Sequence, residues 1–546
     1  MGAVAADGRC FAHLSGSALD GALETANRRE YIDARGVCIS GGLLSRLIDA
    51  AQSSIGDPRI LRAVKFDQAV FDCDADFEAV TFDGEASFVN ATFQKRANFY
   101  DARFNATSAF RGTTFLGDAR FTGPFKQTAS FPGTTFAGEA LFGGGTEFHG
   151  GASFFRAVFK MNAKFHKARF RGLTIFGEAT FLGFPVFGGA VVDGDADFRH
   201  TTFRRGAVGP MLVTGLMLLD GVTTEDTFTL RVAANGLSIR SAKFRGPTRL
   251  QVRWAEIMLD DSEFLERSTL TTGEKHFLED ALTSACARSE ESAKGRSERV
   301  RLVSLRGAYA GNLVLSNTDL RACRFLGSHG LDQLRLEGPP SFASSPSALR
   351  WTARQTLAEE HLWRSKHRPG WYPCECRPPA WMDEQHSDLP SLEHAPDTNE
   401  LASLYRALRK SREDNKDEPG SADFYYGEME MRRLTKGRTK GVIGSRGERI
   451  LLWLYWAVSG YGLRASRAFI SLVLVVLGFA VLLYSFGLQE PNVMTALLHS
   501  LEGAAVRGAE PGVLNEAGRF LVVPLRLLGP ILLGLAILSL RGRVRR

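Results

Sequence analysis

Residues 86–115 read ASFVNATFQKRANFYDARFNATSAFRGTTF, with phenylalanines at alternating steps of five and six residues. Side chains of a β-strand point to opposite sides in turn, so a step of five would place successive rings on opposite faces of a flat sheet. A small residue, usually Ala or Thr, stands two positions before most of the rings. The stretch thus repeats as a double unit of 11 residues, built around Phe88, Phe93, Phe99, Phe104, Phe110 and Phe115.

The ladder extends from Phe66 to Phe203 and includes Phe165, Phe170, Phe176 and Phe181. A coiled coil with an 11-residue period is the main alternative, but consecutive rings would lie about 130° apart on a helix of that kind. The segment is also rich in Gly, Thr and Asn, which are weak helix formers. A solenoid with one short unit on each side lets every ring point inward and pack on the ring one coil away. The ladder therefore predicts a solenoid.

The A-x-F-x-x ladder resembles the Phe-rich variant of the pentapeptide-repeat family. The resemblance implies a mainly β fold, a right-handed, four-sided parallel β-helix, with about six to seven coils between Phe66 and Phe203. In that fold the phenylalanines form a structural core. Some members of the family resemble duplex DNA in shape and acidic charge, but residues 61–205 contain 17 Lys or Arg and 15 Asp or Glu. This balance predicts no nucleic-acid partner and no DNA mimicry.

Changes in composition divide the chain into further segments. We expect an N-terminal segment with an amphipathic capping helix at 1–60, the regular ladder at 61–205, and a degenerate continuation at 206–345 with a helical insertion at 273–300. The remaining segments are a Pro- and Trp-rich linker at 346–398, an amphipathic helical hairpin at 399–435, a basic juxtamembrane segment at 436–467, a transmembrane helix at 468–487, an external loop at 488–519, a second transmembrane helix at 520–540 and a basic cytoplasmic tail at 541–546.

The hairpin is predicted from two amphipathic stretches. One apolar helix face is expected to contain Leu401, Leu404, Tyr405 and Leu408. The sequence DEPG at 417–420 ends that helix, and Ser421 is the expected cap of the second helix. The stretches LYRALRK, GSADFYYGEMEMRR and YWAVSGYGLRASRA resemble the juxtamembrane portion of membrane-bound pentapeptide-repeat proteins.

Two segments are apolar over the length needed to cross a bilayer. Residues 468–487 carry no charge, and residues 520–540 carry only Arg526. Basic residues gather before the first segment, where 432–467 contains nine Lys or Arg, and after the second, where the last six residues contain four Arg. Because cytoplasmic flanks are enriched in Lys and Arg, the sequence predicts a plasma-membrane protein with two spans and both termini in the cytoplasm.

The stretch between the two spans resembles the pore helix and selectivity loop of the two-helix pore module of cation channels. A potassium filter needs the backbone carbonyls of a T-V-G-Y-G loop, whereas this chain has AAVRGAE at 504–510, so potassium selectivity is not expected. The candidate residues for a pore or membrane function are Glu502, Arg507 and Arg526. Within the second span, Arg526 is expected to snorkel outward or to pair with Glu502 or Glu516. The alternative is an interfacial Arg on a tilted helix.

The linker raises the question of a zinc site, because Cys374 and Cys376 lie near His361, His367 and His386. This C-x-C pair lacks the C-x2-C pairs and the spacing of structural zinc sites. An irregular docking segment is the favoured interpretation, and neither a metal nor a cofactor is expected.

Enzyme motifs are missing from the sequence: it contains no P-loop, no G-x-S-x-G and no H-E-x-x-H. We therefore expect a protein without catalytic activity. The favoured hypothesis is a membrane-anchored, cytoplasm-facing scaffold whose solenoid binds a protein partner. The alternative is a homo-oligomer, joined through the membrane hairpin, in which the solenoid regulates a degenerate two-helix pore.

Overall fold

The computed structural model of the chain describes residues 13–14, 16–28, 31–49, 59–273, 300–338, 341–346, 353–366, 371, 381, 396–435, 446–505 and 513–544. These residues form two compact units. The first comprises Met1–Ala343 and Arg368–Pro390, and the second comprises Ser344–His367 and Ser391–Arg546. A β-solenoid forms most of the first unit, and helices form most of the second.

The solenoid has four faces, which the chain visits in turn, and each strand pairs in parallel with the strand one coil further on. Each coil of the Phe-rich region takes about 22 residues, as the pairing of Ala97 with Ala119 shows. From the first to the fourth, the faces contain 12, 11, 6 and 13 strands, which corresponds to about 11 coils. The predicted four-sided parallel β-solenoid is confirmed.

Most strands are only two or three residues long. The first face contains Tyr31–Asp33, Ala63–Lys65, Ala86–Ser87, Ser108–Ala109, Ala129–Ser130, Ala152–Ser153, Thr174–Ile175, Ala196–Asp197, Leu216–Leu218, Gly236–Ser238, Glu256–Met258 and Arg301–Ser304. The second face contains Cys38–Ile39, Val70–Phe71, Thr92–Phe93, Thr114–Phe115, Thr135–Phe136, Val158–Phe159, Thr180–Phe181, Thr202–Phe203, Thr223–Thr224, Lys243–Phe244 and Glu263–Phe264.

The other two faces differ in length. The third face contains Ala75–Asp76, Ala97–Phe99, Ala119–Phe121, Ala140–Leu141, Ala163–Lys164 and Pro185–Val186. The fourth face contains Ile60–Leu61, Thr81–Phe82, Arg103–Phe104, Pro124–Phe125, Glu147–Phe148, Arg169–Phe170, Ala190–Val192, Gly206–Val213, Phe228–Ala233, Thr248–Arg253, Ser268–Thr272, Leu313–Ser316 and Arg335–Glu337.

Two kinds of corner explain the alternation of five and six residues. Each step of five contains a tight turn, in which the N–H of Ala69, for example, donates to the C=O of Phe66 at 3.0 Å. The third residue of that turn, Gln68, is left-handed with φ of 59°, as a type II turn requires. The step of six rounds the next corner in a wider bend. The same left-handed position recurs every second corner, at Ala79, Asn90 and Asp101.

The phenylalanines fill the solenoid in four columns. Each ring stacks on the ring one coil away: Phe110 lies 4.8 Å from Phe88 and 4.7 Å from Phe131 between ring centroids, with planes 3° apart. Every ring of the regular ladder is buried. Where Thr takes the small position, its hydroxyl is satisfied internally, since Thr134 donates to the C=O of Phe110 at 2.6 Å. The rings and small residues thus share the narrow interior as predicted.

The solenoid narrows after residue 206. The third face ends at Pro185–Val186. In the next coil, one longer strand, Gly206–Val213, belongs to the fourth face. Each coil then contains 20 residues: the N–H of Arg240, for example, donates to the carboxylate of Asp220, 20 positions earlier in the chain. Aliphatic residues such as Leu219, Ile239 and Leu259 take many of the ring positions in the interior, although Phe244 and Phe264 still stack. The predicted helical insertion at 273–300 falls almost wholly outside the described residues.

Helix α1 (Gly16–Arg28) and helix α2 (Gly41–Asp49) accompany the first strands of the solenoid. The apolar side of α2 is buried as predicted, through Leu43, Leu44, Leu47 and Ile48. Tyr31–Asp33 and Cys38–Ile39 already pair with the first full coil. Trp381, from the linker, also lies on the solenoid: its indole donates to Glu256 at 3.3 Å, and a Cβ added to Gly236 would lie 2.9 Å from its ring.

A small two-stranded sheet is formed by Ala343–Ser344 and Gln355–Thr356, and the other described elements of the second unit are helices. Its helices are α3 (Ala358–Ser365), α4 (Thr398–Asp414), α5 (Glu418–Leu434), α6 (Arg446–Ser459), α7 (Ala465–Leu482), which continues as a π-helical turn (Leu483–Gly487), α8 (Val493–Ala504) and α9 (Glu516–Val544).

The predicted helical hairpin is formed by α4 and α5, and its predicted apolar residues on α4 are buried. The predicted cap of α5 is wrong. Asp417 takes that role by accepting the N–H of Gly420 at 3.0 Å, and Ser421 lies inside the helix. The physical reason is that Pro419 fits in the first turn of a helix, where its missing N–H has no helical partner in any case.

Candidate functional site: a buried ion network and three apolar helices

Glu360 on α3 is a fully buried carboxylate surrounded by cationic and phenolic side chains. Arg354 reaches its two oxygens at 2.6 and 2.8 Å, and Arg364 reaches one of them at 2.7 Å. The hydroxyl of Tyr405, on α4, donates a short hydrogen bond to the same carboxylate. The N–H of Leu357 in turn donates to that hydroxyl at 3.0 Å. One carboxylate therefore holds α3 and α4 together.

The charge state of this cluster follows from its partners. Burial by itself raises the pKa of Glu360, but Arg354 and Arg364 outweigh burial and lower that pKa to about 2. Burial and the adjacent Glu360 carboxylate raise the pKa of Tyr405, so its phenol stays protonated and acts as a donor. The cluster is thus a closed, charged network whose carboxylate is fully engaged by donors.

Two further carboxylates on α5 take part in the network: Glu428 joins the two helices of the hairpin, and Glu430 connects the hairpin to the segment after α6. Glu428 is buried and contacts Arg406 at 2.9 Å and Arg432 at 2.6 Å. Glu430 contacts Arg433 at 2.9 Å and accepts the hydroxyl of Tyr461, just after α6, at 3.2 Å. Burial and the Glu430 charge raise the pKa of Tyr461, so this phenol also stays protonated.

An aromatic joint extends this connection to the start of α7. The guanidinium carbons of Arg433 and Arg467 lie 4.5 and 4.8 Å from the ring centre of Trp456. The indole N–H of Trp456 donates to the hydroxyl of Tyr426 at 3.1 Å. Stacked guanidinium groups hold an aromatic ring firmly. The hairpin α4–α5 is therefore fixed to α6 and to the first turn of α7 by side chains from both sides.

Helices α7 and α9 are long and apolar enough to cross a membrane. The candidate spans are Ala465–Gly487, with mean hydropathy 2.6, and Glu516–Ile537, with mean hydropathy 2.2. Only 17% and 28% of their most apolar windows are buried within the chain. The core helix of a water-soluble protein would bury most of such a surface. Large exposed side chains on α7 include Ile470, Leu474 and Val481.

The short helix α8 packs between the two long helices through small residues. The hydroxyl of Ser500 donates to the C=O of Val476 on α7 at 2.7 Å. A Cβ added to Gly503 would lie 2.9 Å from Leu525 on α9, and a Cβ added to Gly529 would lie 2.4 Å from the carbonyl oxygen of Ala504. Glycine at these positions permits close contact of the helices.

The predicted charged residues occupy different places in this arrangement. Glu502 lies on α8, and its carboxylate is 3.1 Å from Nδ1 of the buried His499. Arg526 and Glu516 lie on α9 with exposed side chains. Arg507 lies outside the described residues, as do Cys374 and Cys376. His361, considered as a zinc ligand, is buried beside Thr356 at 2.6 Å, and the described residues contain no group of three or more potential metal ligands.

The ion network around Glu360, Glu428 and Glu430 was not predicted from the sequence. The available signal is weak, since Glu428 and Glu430 alternate with Met429 and Met431 on a helix that faces other helices. A carboxylate inside such an apolar stretch indicates burial with a cationic partner. The partners come from α3, α4 and α5 and from two positions outside helices, Arg354 and Tyr461, and no sequence spacing identifies them.

The comparisons with known proteins agree with the solenoid. The sequence profile described as pentapeptide repeats matches residues 58–103 and 154–202, with nine copies. No curated protein matches the chain, and no solved structure matches it. Both matched stretches belong to the region of the solenoid in which the Phe columns are regular. The predicted pentapeptide repeats are confirmed: nine copies lie within the Phe-lined solenoid.

Proposed function

We propose that this chain is a non-catalytic scaffold, anchored in the plasma membrane, whose solenoid faces the cytoplasm and binds a protein partner. The observation that carries the proposal is the exposed apolar surface of α7 and α9, next to an ion network that fixes the preceding hairpin to α7. A lipid environment would cover that surface. A pentapeptide-repeat solenoid offers flat, rigid faces, which suit protein recognition.

The distribution of charge supports the proposed orientation. Nine Lys or Arg between 432 and 467 and four in the last six residues flank the two spans on the same side. Such residues are retained on the cytoplasmic side. The solenoid precedes the first basic cluster in the chain and would lie on that side as well.

The chemistry of the buried carboxylates supports a structural role for them. Glu360 is saturated by two arginines and a tyrosine, and Glu428 and Glu430 are each paired with arginines. General acid–base catalysis needs a titratable group that reaches a substrate. These carboxylates reach other helices of the same chain.

Membrane fractionation tests the anchor directly. The full-length protein should stay in the membrane pellet after extraction with alkaline carbonate, and a variant lacking residues 465–544 should move to the soluble fraction. Release of the full-length protein by carbonate would contradict the anchor.

In-cell photo-crosslinking from Leu173, which is 61% exposed on the solenoid, should yield one discrete adduct with a partner protein. Its failure at this and every other exposed solenoid position would contradict the scaffold role.

A second candidate function is a channel-like homo-oligomer, and one observation favours it. Helix α8 lies between the two candidate spans and contacts both through Ser500 and Gly503, which matches the position of a pore helix. Two spans from one chain cannot enclose an aqueous path. The absolute mass of the protein in mild detergent, corrected for bound detergent, separates the two candidates: a monomer supports an anchor alone, and a closed ring supports the pore.

A further inference from the structure

One outward-facing column on the first face of the solenoid continues into the narrowed region. The pairing of successive strands places Leu216 beside Gly236, and Gly236 beside Glu256. The next residue in each of these strands points inward, because it continues the column of the buried Ala196. Since side chains of a strand alternate in direction, Leu216, Gly236 and Glu256 face outward.

This outward column is exposed in the regular region and covered in the narrowed region. Leu173, which stands one residue before Thr174 and so belongs to the same column, is 61% exposed, whereas Leu216 is 8% exposed. The ring of Trp381, from the linker, lies at this place. A Cβ added to Gly236 would meet Leu216 Cδ2 at 2.6 Å and Trp381 Cε2 at 2.9 Å. The indole therefore lies against the space that a side chain at 236 would take.

Glu256 gives the same space a polar end. Its Oε2 accepts the indole N–H of Trp381 at 3.3 Å, and its Oε1 accepts a hydrogen bond from Arg301 at 2.9 Å. Arg301, in the next strand of the face, thus holds the carboxylate in position. We call Leu216, Gly236 and Glu256 the indole slot. A phenylalanine ring has no N–H for this acceptor, and the hydroxyl of a tyrosine lies at the far end of its ring.

The contact of Trp381 with the slot is separate from the contacts that build the coils. Trp381 belongs to the same compact unit as the slot but lies 125 positions after Glu256, and its side chain is half-buried. The coils are held by backbone pairing and by their inner columns, so the ring can leave without breaking either. Attachment to the same chain supplies a local concentration on the order of 1 mM for a short tether, so a weak contact is sufficient to keep the slot filled.

We propose that the indole slot is the site at which the solenoid recognises its protein partner: it binds a tryptophan side chain of that partner, and Trp381 occupies it until the partner displaces the linker. The inference rests on the scaffold role proposed above and specifies the chemistry of the partner, a segment with an accessible tryptophan. The linker sequence RPPAWMDEQ at 377–385 is the chain's own example of such a segment and serves as the probe.

Binding of a separate peptide tests the slot. A fluorescein-labelled peptide of sequence RPPAWMDEQ is titrated with the full-length protein in mild detergent, and binding is followed by fluorescence anisotropy. The Trp381→Ala variant, in which the slot is empty, should bind the peptide saturably. The wild-type protein should bind it about tenfold or more weakly, because its own Trp381 competes. A peptide with alanine in place of its tryptophan should bind the Trp381→Ala variant about tenfold or more weakly, and this control leaves the protein unchanged.

A second substitution locates the binding. Gly236→Ala, added to Trp381→Ala, fills the slot with a methyl group and should weaken peptide binding about tenfold or more. The matched control is Gly151→Ala in the same column, where an added Cβ would lie 3.6 Å from the nearest atom, the carbonyl oxygen of Leu173, and peptide affinity should stay within about twofold. Equal binding by the wild-type protein and Trp381→Ala, binding that does not need the peptide's tryptophan, or no binding by Trp381→Ala would overturn the proposal.

Photo-crosslinking in cells separates this inference from the scaffold role. A photo-crosslinking residue at Asn235, which is exposed beside Gly236, should give the partner adduct in larger amount in the Trp381→Ala variant than in the wild-type protein. An adduct from Leu173 with none from Asn235 in either protein would contradict only the slot. The absence of an adduct from every exposed solenoid position would contradict the scaffold role as well.

Discussion

The left-handed residue at every second corner determines which substitutions the solenoid accepts. Some coils have Gly at this position, as at Gly133 with φ of 63°, and others have a residue with a side chain, as at Lys167 with φ of 57°. A side chain costs about 1 kcal/mol in this conformation. The regular ladder therefore contains several corners that are strained by their own side chains.

Gly133→Ala should destabilise the solenoid by about 1 kcal/mol, although a Cβ at this position would meet no atom within 4 Å. The matched control is Gly188→Ala, where a Cβ also meets nothing within 4 Å but φ lies outside the left-handed region. That control should be neutral or slightly stabilising, because Ala restricts the unfolded chain. Denaturant unfolding of the full-length protein in detergent measures both, and equal effects would show that φ is not the cause.

Phe110→Ala should destabilise the solenoid by about 3–5 kcal/mol, the usual cost of removing a buried ring. Phe110 is fully buried and stacked on both sides, against Phe88 and Phe131. The control is Leu116→Ala on the outer surface, where the side chain is 52% exposed and the change should stay within about 0.5 kcal/mol. A similar loss for both variants would argue against the ring column as the source of stability.

Inside the ladder, the sequence predicts correctly which single residues are buried. Outside the ladder, such predictions are poor. Phe88 and Phe110 are recognised because every repeat presents the same side chain to the same interior. The strands Tyr31–Asp33 and Cys38–Ile39 join the same sheets without a phenylalanine, so the ladder contains no sign of them. Their pairing depends on the neighbouring coil and not on their own pattern.

At the scale of elements, the hairpin α4–α5 depends on charges that a helix pattern does not reveal. The apolar face with Leu401 and Leu408 predicts the helices, since the period of 3.6 residues is visible in the sequence. The contacts of Glu360 with Arg354 and Tyr405 join separate elements. Such contacts depend on tertiary structure and are invisible to local periodicity.

Glu360→Gln should destabilise the helical unit by about 3–5 kcal/mol, because it removes the buried counter-ion of Arg354 and the nearer of the two carboxylates that contact Arg364. The matched control is Glu413→Gln on α4, where the carboxylate is 53% exposed and pairs with Arg409. That change should cost less than about 1 kcal/mol. Thermal unfolding followed by tryptophan fluorescence compares them, and equal midpoints would contradict the importance of the buried network.

The same network predicts how stability depends on pH. The pKa of Glu360 is about 2 in the folded protein, below its ordinary value of 4.5. A depressed pKa contributes stability that is fully present above the unfolded value and is lost as the pH falls through the folded value. The unit should therefore weaken between about pH 5 and pH 2. The Glu360→Gln variant should lack this component, and an identical acid profile for both proteins would assign it to other groups.

At the scale of the whole molecule, the two proposed spans predict that both termini lie on the same side of the membrane. Tags at residues 1 and 546 should both resist protease in sealed right-side-out cells and both become sensitive in inverted vesicles. A tag inserted at 513, between the spans, should show the opposite pattern. Opposite accessibility of the two terminal tags would mean that one apolar helix does not cross.

The insertion between Thr272 and Val300 has a consequence for how this protein can change over time. Coils on either side of it remain paired, with one register shift between Ile257 and Met258 on the first face. Leu270 pairs with Leu315, and the Arg301 guanidinium is bonded to Glu256, 45 positions earlier instead of the usual 20. Because the flanking strands stay paired despite so many inserted residues, this position can accept further inserted sequence. Evolution, or a protein engineer, can graft a recognition loop there while the underlying rod keeps its shape.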